Sequence, residues 1–319
     1  MSATVNSTIT TPSPYITGHA MNLKNSNGEV MAATITHSFP ISTSPVMEVQ
    51  IRTKKGFQKA ILKLFDPRFG ALRRGAKSPH TQLVEAAWHD YVRNGSANLL
   101  FHRLKRKDKE DGAYMYHYPD SDDERPEWEK LGETEGIIRH QVQNFYTSEV
   151  QAYKQLQKFQ GLCIPRFISS VTLETPPTPS NLPPIYFQIH GVLLQRIRGF
   201  SLTDLVSNIP NQPLLWEEII QSAVDAAREF NRAGVLNFDS SPRNVIVARL
   251  DERTFQPFLI DFAQCNFEWE YDDTDDMWDE KGWKRNVHMC GNHLDYWVIS
   301  KTIERETGHK LRINTDDIY

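Results

Sequence analysis

Asp239, Asn244 and Asp261 are oxygen-bearing side chains in a spacing that suits a hard cation beside a carboxylate. The run Asn237-Phe238-Asp239-Ser240-Ser241-Pro242-Arg243-Asn244 offers one carboxylate and, five residues on, an amide. Asp261-Phe262-Ala263 supplies a second carboxylate after two apolar runs. Those runs, 244–250 and 257–261, flank Asp251-Glu252-Arg253-Thr254, whose turn chemistry predicts a hairpin. An antiparallel pair returns to its starting point, so its open end should bring Asn244 and Asp261 together. Mg²⁺ takes few protein ligands and completes its shell with phosphate and water. Two oxygen ligands beside the Asp239 carboxylate therefore suit Mg²⁺ and a triphosphate.

The order Asp-x-x-x-x-Asn, hairpin, Asp-Phe resembles the catalytic loop and metal-binding segment of protein kinases, written H-R-D-x-x-x-x-N and D-F-G. Upstream segments follow in the same order. Ala60-Ile61-Leu62-Lys63-Leu64 is a β-rich run that places Lys63 at the end of a V-A-I-K-like pattern, where the ammonium holds nucleotide phosphates. Residues 145–159 read as a helix ended by Gly161, with Ala152, Tyr153 and Leu156 on one face. Glu149 falls on that face, where a carboxylate is costly without a cation, and Lys63 is the expected partner. Gly191 to Gly199 reads as a buried strand entering a connector. It looks like the kinase hinge, with Leu194 at the gatekeeper position and backbone groups of Gln195 and Ile197 facing adenine.

Leu215, Ile219, Ile220, Ala223, Ala227 and Phe230 have helical spacing between Pro213 and Gly234, which predicts a long amphipathic helix leading into the 235–239 segment. The resemblance spans about residues 35–265 and is closest to divergent fungal protein-kinase-like families. It implies an α+β, bilobal protein-kinase-like fold with a small β-rich N-lobe and a short, mostly helical C-lobe. The expected organisation is a disordered tail over 1–20, an N-lobe over 21–195, and a truncated C-lobe over 196–319. A long insert at about 66–140 separates Lys63 from Glu149. It carries Arg103-Leu104-Lys105-Arg106-Lys107, read as a solvated loop, and an apolar helical face through Leu83, Ala86, Ala87 and Tyr91.

Composition excludes little else. The chain has 319 residues, 39% apolar and 24% charged, enough to bury one large or two medium cores. A net charge of −4 gives no sign of wholesale nucleic-acid binding. No apolar run has the length of a membrane span, and the N-terminus has no secretory pattern. Cys163, Cys265 and Cys290 lack metal-type spacing and read as free thiols of an intracellular, cytoplasmic or nuclear compartment. The histidines form no ligand pair at helical spacing.

Departures from the kinase pattern bear on activity. Asn237 stands where kinases carry His, a position that anchors the loop by side-chain hydrogen bonds, which an amide can also make. Ser241 stands where Ser/Thr kinases carry Lys, with Arg243 able to cover some of that charge. Ala263 replaces Gly after Asp-Phe. The segment Pro40-Ile41-Ser42-Thr43-Ser44-Pro45, where a Gly-rich phosphate loop is expected, has no glycine and lacks two N–H donors. Ser42 and Ser44 supply hydroxyls instead, and Val46 opens the next strand toward the base. No Ala-Pro-Glu anchor follows Asp261, and aromatic and acidic residues alternate over 267–280, a pattern that reads first as a solvated acidic loop with docked aromatics and second as a pocket for a cation.

Three functions follow. The first is an ATP- and Mg²⁺-dependent kinase with Asp239 as base, Asn244 and Asp261 on the metal, and Lys63 held by Glu149 on the phosphates. Its acceptor is a hydroxyl on a protein. The second is a kinase for a cationic small molecule, resembling aminoglycoside or choline kinases. The third is a pseudokinase, a binding module without turnover.

Overall fold

The computed structural model describes residues 12–53, 56–111, 116–120, 122–174, 181–271, 280–287 and 296–314. The chain divides into two compact units, one of Met1–Tyr146 with Ile168–Leu194, the other of Thr147–Phe167 with Gln195–Tyr319.

The first unit is built on β1 (Ala20–Asn25), β2 (Val30–Ser38), β3 (Val46–Thr53) and β4 (Gly56–Phe65). After three helices, α1 (Ala71–Gly75), α2 (Gln82–Arg93) and α3 (Ser96–Asp111), comes the 29-residue α4 (Glu127–Gln155). β5 (Phe167–Leu173) and β6 (Ile189–Gln195) complete the sheet, whose order β1-β2-β3-β4-β6-β5 closes into a barrel. Side chains alternate along each strand. Leu23, Ala33, Ile35, Met47, Val49, Ile51, Ala60, Leu62, Leu64, Val171 and Leu193 accordingly fill the interior.

This closure corrects the bilobal protein-kinase-like fold expected from the motifs. β1 pairs antiparallel with β2, Ala20 opposite Thr34, and also with β5, Leu23 opposite Leu173. One strand thus joins what would otherwise be the two edges of an open sheet and leaves no unpaired edge. Its sequence, Ala-Met-Asn-Leu-Lys-Asn, gives only Met21 and Leu23 as inward residues, too short an alternation to announce a strand. The tail expected over 1–20 is also anchored from Tyr15 onward. Tyr15 is buried, donates to Asp66 at 2.5 Å, and accepts from Ser38 through its carbonyl.

The 66–140 insert is largely helical and has a core of its own. Trp88, Tyr91, Val92, Ala97, Leu100, Leu104, Ile137 and Leu182 pack together, and Thr81 caps α2 by accepting from the Val84 N–H. Two readings change here. The buried face of α2 runs through Val84, Ala87 and Trp88, while Leu83 is exposed. The basic cluster lies on α3 rather than in a solvated loop, with Leu104 in the core and Arg103 paired to Glu133. On α4, the fully buried Glu135 is clasped by Arg73 and, at 2.7 Å, by Arg139. Burial pushes the Glu135 carboxyl up, but these two guanidiniums outweigh it and hold the group below its ordinary value.

The second unit holds the last part of α4, then β7 (Gly199–Ser201), α5 (Leu205–Asn208) and α6 (Pro213–Arg232). Pro213 stands at the first turn of α6, Trp216, Ile219, Ile220, Ala223, Val224, Ala227 and Phe230 are buried along it, and Gly234 at φ +73° ends it. β8 (Val235–Asn237), β9 (Val245–Arg249), β10 (Phe255–Leu259) and β11 (Cys265–Phe267) form two small sheets, β10-β9-β7 and β11-β8. Two further helices, α7 (Glu280–Asn286) and α8 (Tyr296–Thr307), complete the described part. No described helix is long and apolar enough to cross a membrane.

Candidate functional site

Two antiparallel pairs in the second unit converge on Asp239, Asn244 and Asp261. The hairpin β9–β10 sets Val245 opposite Leu259, so its open end joins Asn244 to Ile260, whose N–H donates to the Asn244 carbonyl at 2.9 Å. β8 pairs with β11, Asn237 opposite Cys265, which delivers the chain to Asp239 on one side and Asp261 on the other.

Between these pairs, Asn237 works in both directions. Its Nδ2 donates to the Asp261 carbonyl at 3.0 Å, and its Oδ1 accepts from the Asp239 N–H at 3.0 Å. An amide has a donor and an acceptor on one planar group, so it can join the two loops where a carboxylate could only accept. Asn244 uses its Nδ2 on the Asp239 carbonyl at 2.8 Å and on Asp239 Oδ2 at 3.0 Å. That fixes the amide orientation and turns Oδ1, the only group on it able to bind a cation, away from Asp239. Arg243 pairs with the other carboxylate oxygen of Asp239 and is itself largely exposed.

Asp261 has a left-handed backbone, φ +64°, which non-glycine residues adopt at some cost and which clusters at functional sites. Its Oδ1 accepts from the Ala263 N–H at 3.4 Å. Phe262 is fully buried between Tyr153 and Phe230, with ring centroids 5.4 and 5.9 Å away. Ser148 on α4 donates to the Cys265 carbonyl at 2.8 Å and accepts from the Cys265 N–H at 3.1 Å. The strained aspartate is thus followed at once by an immobilised aromatic and a pinned strand.

Glu149 is fully buried on α4, on the same face as Ala152, Tyr153 and Leu156. The Tyr153 hydroxyl is also buried and meets no acceptor among the described residues. Burial, then the nearby Glu149, Asp261 and Cys265 groups, push it well above the ordinary tyrosine range and keep it neutral.

In the first unit Val46 and Lys63 are register partners on β3 and β4. Their neighbours Met47, Leu62 and Leu64 point into the barrel, so Val46 and Lys63 face outward. Leu194, beside the inward Leu193 on the adjacent strand β6, also faces outward. Lys63 is buried, its Nζ 5.3 Å from the Phe65 ring centroid. The 40–45 segment is pinned down: Arg74 donates to the Ser42 carbonyl at 2.6 Å, and a Cβ on Gly70 would fall 2.0 Å from the Thr43 oxygen. Gly70, at φ +106°, is required there. Ser42 is exposed and Ser44 buried.

Gln195 and Ile197 begin the connector of the second unit. The Gln195 N–H is committed to the Arg166 carbonyl at 2.8 Å, and its Oε1 accepts from the Arg166 N–H at 3.1 Å. Only its carbonyl, with the Ile197 backbone, is left for the role expected of the hinge. Lys63 belongs to the first unit and Glu149, on the last part of α4, to the second. Most of the 267–280 acidic segment, including Asp272 and Asp273, lies outside the described residues, as does Cys290, while Cys163 and Cys265 are free thiols. The two bonds of the Asn237 amide anchor the loop as its place in the motif implied. Sequence reasoning missed the cluster in which Asp66 accepts from Tyr15 and, at 2.7 Å, from Arg68, and only the residue types signalled it.

No group of three or more His, Cys, Asp or Glu among the described residues could hold a metal ion. The donors at hand are one amide oxygen and one carboxylate, a set that fits Mg²⁺ only when phosphate oxygens and water complete its shell. Comparison with protein-family models gives no match, and comparison with curated proteins gives none.

Proposed function

We propose that the chain is a phosphotransferase of the protein-kinase-like kind, moving the γ-phosphate of ATP to a protein hydroxyl. The observation that carries this reading is the Asn237–Asp239–Asn244–Asp261 constellation. Its four members are joined by side-chain-to-backbone bonds, and Asp261 has a left-handed backbone just past the open end of the β9–β10 hairpin, where Asn244 stands. In the first unit, Val46, Lys63 and Leu194 on the barrel strands β3, β4 and β6 face outward, which supports the same reading.

Asn244 Oδ1 and the Asp261 carboxylate would hold Mg²⁺, which when bound neutralises charge on the β- and γ-phosphates. Asp239 orients the acceptor hydroxyl and takes its proton as the acceptor oxygen bonds to the γ-phosphorus and the bond to the ADP oxygen breaks. Asn244 fixes one oxygen of the Asp239 carboxylate, and Arg243 steadies the other and lends positive charge beside the transferring group. Lys63, buried on β4 of the first unit, would supply a desolvated cation for the phosphates. Positioning of this kind accounts for most of the catalysis in phosphoryl transfer.

Asp239→Asn tests the assignment directly. Phosphate transfer to a generic protein acceptor should fall about 10²–10⁴-fold, the usual contribution of a positioned base, while MgATP affinity stays within about twofold. Equal loss of both would overturn the role given to Asp239. One observation favours a second reading, nucleotide binding without turnover. The 40–45 segment offers two prolines, and its Ser42 carbonyl is tied to Arg74, so it presents few N–H donors to a phosphate.

A further inference from the structure

We infer that the second unit has an oxyanion-binding cavity on the solvent side of α6, separate from the constellation above and independent of the phosphotransfer reading. The cavity is about 480 Å³ and is lined by Gln221, Asp225, Arg228, Glu229, Arg232, Arg312 and Asn314. That volume falls within the range of small-molecule sites. One wall is α6. The other is the 308–314 segment, held along the helix by Gln221, whose Oε1 accepts from the Asn314 N–H at 2.7 Å and whose Nε2 donates to the Asn314 carbonyl at 3.2 Å. Glu217 secures the same segment, accepting from the Arg312 N–H at 2.9 Å and lying 3.1 Å from His309 Nε2.

Arg228 makes the cavity more than a surface groove. It is only 7% exposed, yet its charge is poorly matched. Nη2 donates to the neutral Asn314 carbonyl at 2.9 Å, Nη1 reaches Asp225 only at 3.4 Å, and the buried Nε has no acceptor among the described residues. A guanidinium taken out of water is expensive unless a charge and full hydrogen bonding offset the loss. Elsewhere in the chain buried guanidiniums meet this demand: Arg73 and Arg139 share Glu135. At Arg228 the unmet demand faces a cavity carrying two more guanidiniums. Arg232 is paired with Glu229 at 2.5 Å across one helical turn, and Arg312 is exposed. Planar guanidiniums match carboxylate and phosphate edges, so the class of ligand is a small molecule bearing one of these groups.

The test is a Mg²⁺-free thermal-unfolding titration with inorganic phosphate and, separately, with succinate, each against chloride of equal ionic strength. Phosphate or succinate should raise Tm saturably where chloride does not. Arg312→Ala, at an exposed position that leaves the fold intact, should weaken the apparent affinity about tenfold, the scale of one charge-assisted hydrogen bond. Arg228→Met should abolish the response and leave the ligand-free Tm equal to or above that of the unaltered chain, because it removes an under-compensated buried charge. A response to phosphate alone identifies a phosphate ligand, and a response to both identifies any oxyanion of this size. Asp316 and Asp317 lie shortly after Asn314 in the sequence. A response that appears only when both are changed to Asn would mean that the chain's own carboxylates fill the site. No saturable response in any of these chains, or an equal response in Arg312→Ala and Arg228→Met, would overturn the inference.

Discussion

In the barrel of the first unit, apolar side chains point inward and the strands satisfy their own backbone groups. In the 237–263 segment of the second unit, polar side chains turn onto the backbone and hold loops that no ladder reaches. Leu62 and Val49 in the barrel need only fill volume beside their neighbours. Asn237 and Asn244 must present a donor and an acceptor to particular atoms. A core built the first way tolerates swaps of similar volume and fails by cavity formation. A loop built the second way fails when one hydrogen bond is left unmade. Phosphoryl transfer by positioning needs the second kind of construction, because it depends on where a few oxygens are held.

The largest expected effect belongs to the barrel. Leu62→Ala should lose about 2–5 kcal/mol in denaturant unfolding, whereas Leu62→Met should lose less than about 1.5 kcal/mol. If both lose the same amount, volume is not what the interior requires. Asn237→Ala comes next, at about 1–3 kcal/mol, because it leaves the Asp239 N–H and the Asp261 carbonyl without their partners. Unlike Leu62→Met, the isosteric Asn237→Asp should give no rescue, since a carboxylate cannot donate to the Asp261 carbonyl. Full stability in Asn237→Asp would show that water replaces the bond.

Asp261→Gly should sharpen the contrast by separating stability from function. Relief of the left-handed backbone should add up to about 1 kcal/mol in the same unfolding assay, while any Mg²⁺-dependent nucleotide binding should disappear. A loss of stability would mean that the Asp261 side chain does more for the fold than its backbone strain costs. Tyr153→Phe should be neutral or slightly stabilising by thermal unfolding, since it removes a buried hydroxyl that meets no acceptor among the described residues. A marked loss would reveal a hydrogen bond formed in solution.

The smallest effect is on pH dependence. Burial pushes the Glu85 carboxyl up, but the hydrogen bond from His80 and the charges of Arg139, His80 and His89 hold it down at about 2, against an ordinary 4.5. A depressed carboxylate contributes stability that is fully present above about 4.5 and is lost as pH falls toward about 2. Glu85→Gln should therefore flatten the acid limb of the unfolding curve in that window and lower stability above pH 5 by the amount that limb no longer loses. An unchanged acid limb would remove Glu85 from the acid response.

The polar site was more legible in the sequence than the barrel that accompanies it. A turn between two apolar runs is local information, and it located the open end where Asn244 meets Ile260. Pro213 and Gly234 likewise bracketed α6. Barrel closure depends on β1 meeting both β2 and a strand well over a hundred residues away, and two inward residues do not encode such a pairing. The basic run on α3 resembled a loop because its charges dominate; the single inward Leu104 and the distant Glu133 decide otherwise. The apolar residues of α2 admit two helical faces, one through Leu83; Trp88 selects the other and leaves Leu83 exposed.

The central claim is that Asn244 and Asp261 form a cation-dependent nucleotide site. It is tested most directly by thermal unfolding with ATP, with and without Mg²⁺, in the unaltered chain and in Asp261→Ala. Ligand at about a hundred times its dissociation constant adds roughly 2.7 kcal/mol to stability, which a melting curve resolves. The site as described predicts a rise in Tm that requires both ATP and Mg²⁺ and is absent from Asp261→Ala. No shift at millimolar ATP, or an equal shift with and without Mg²⁺, would contradict it.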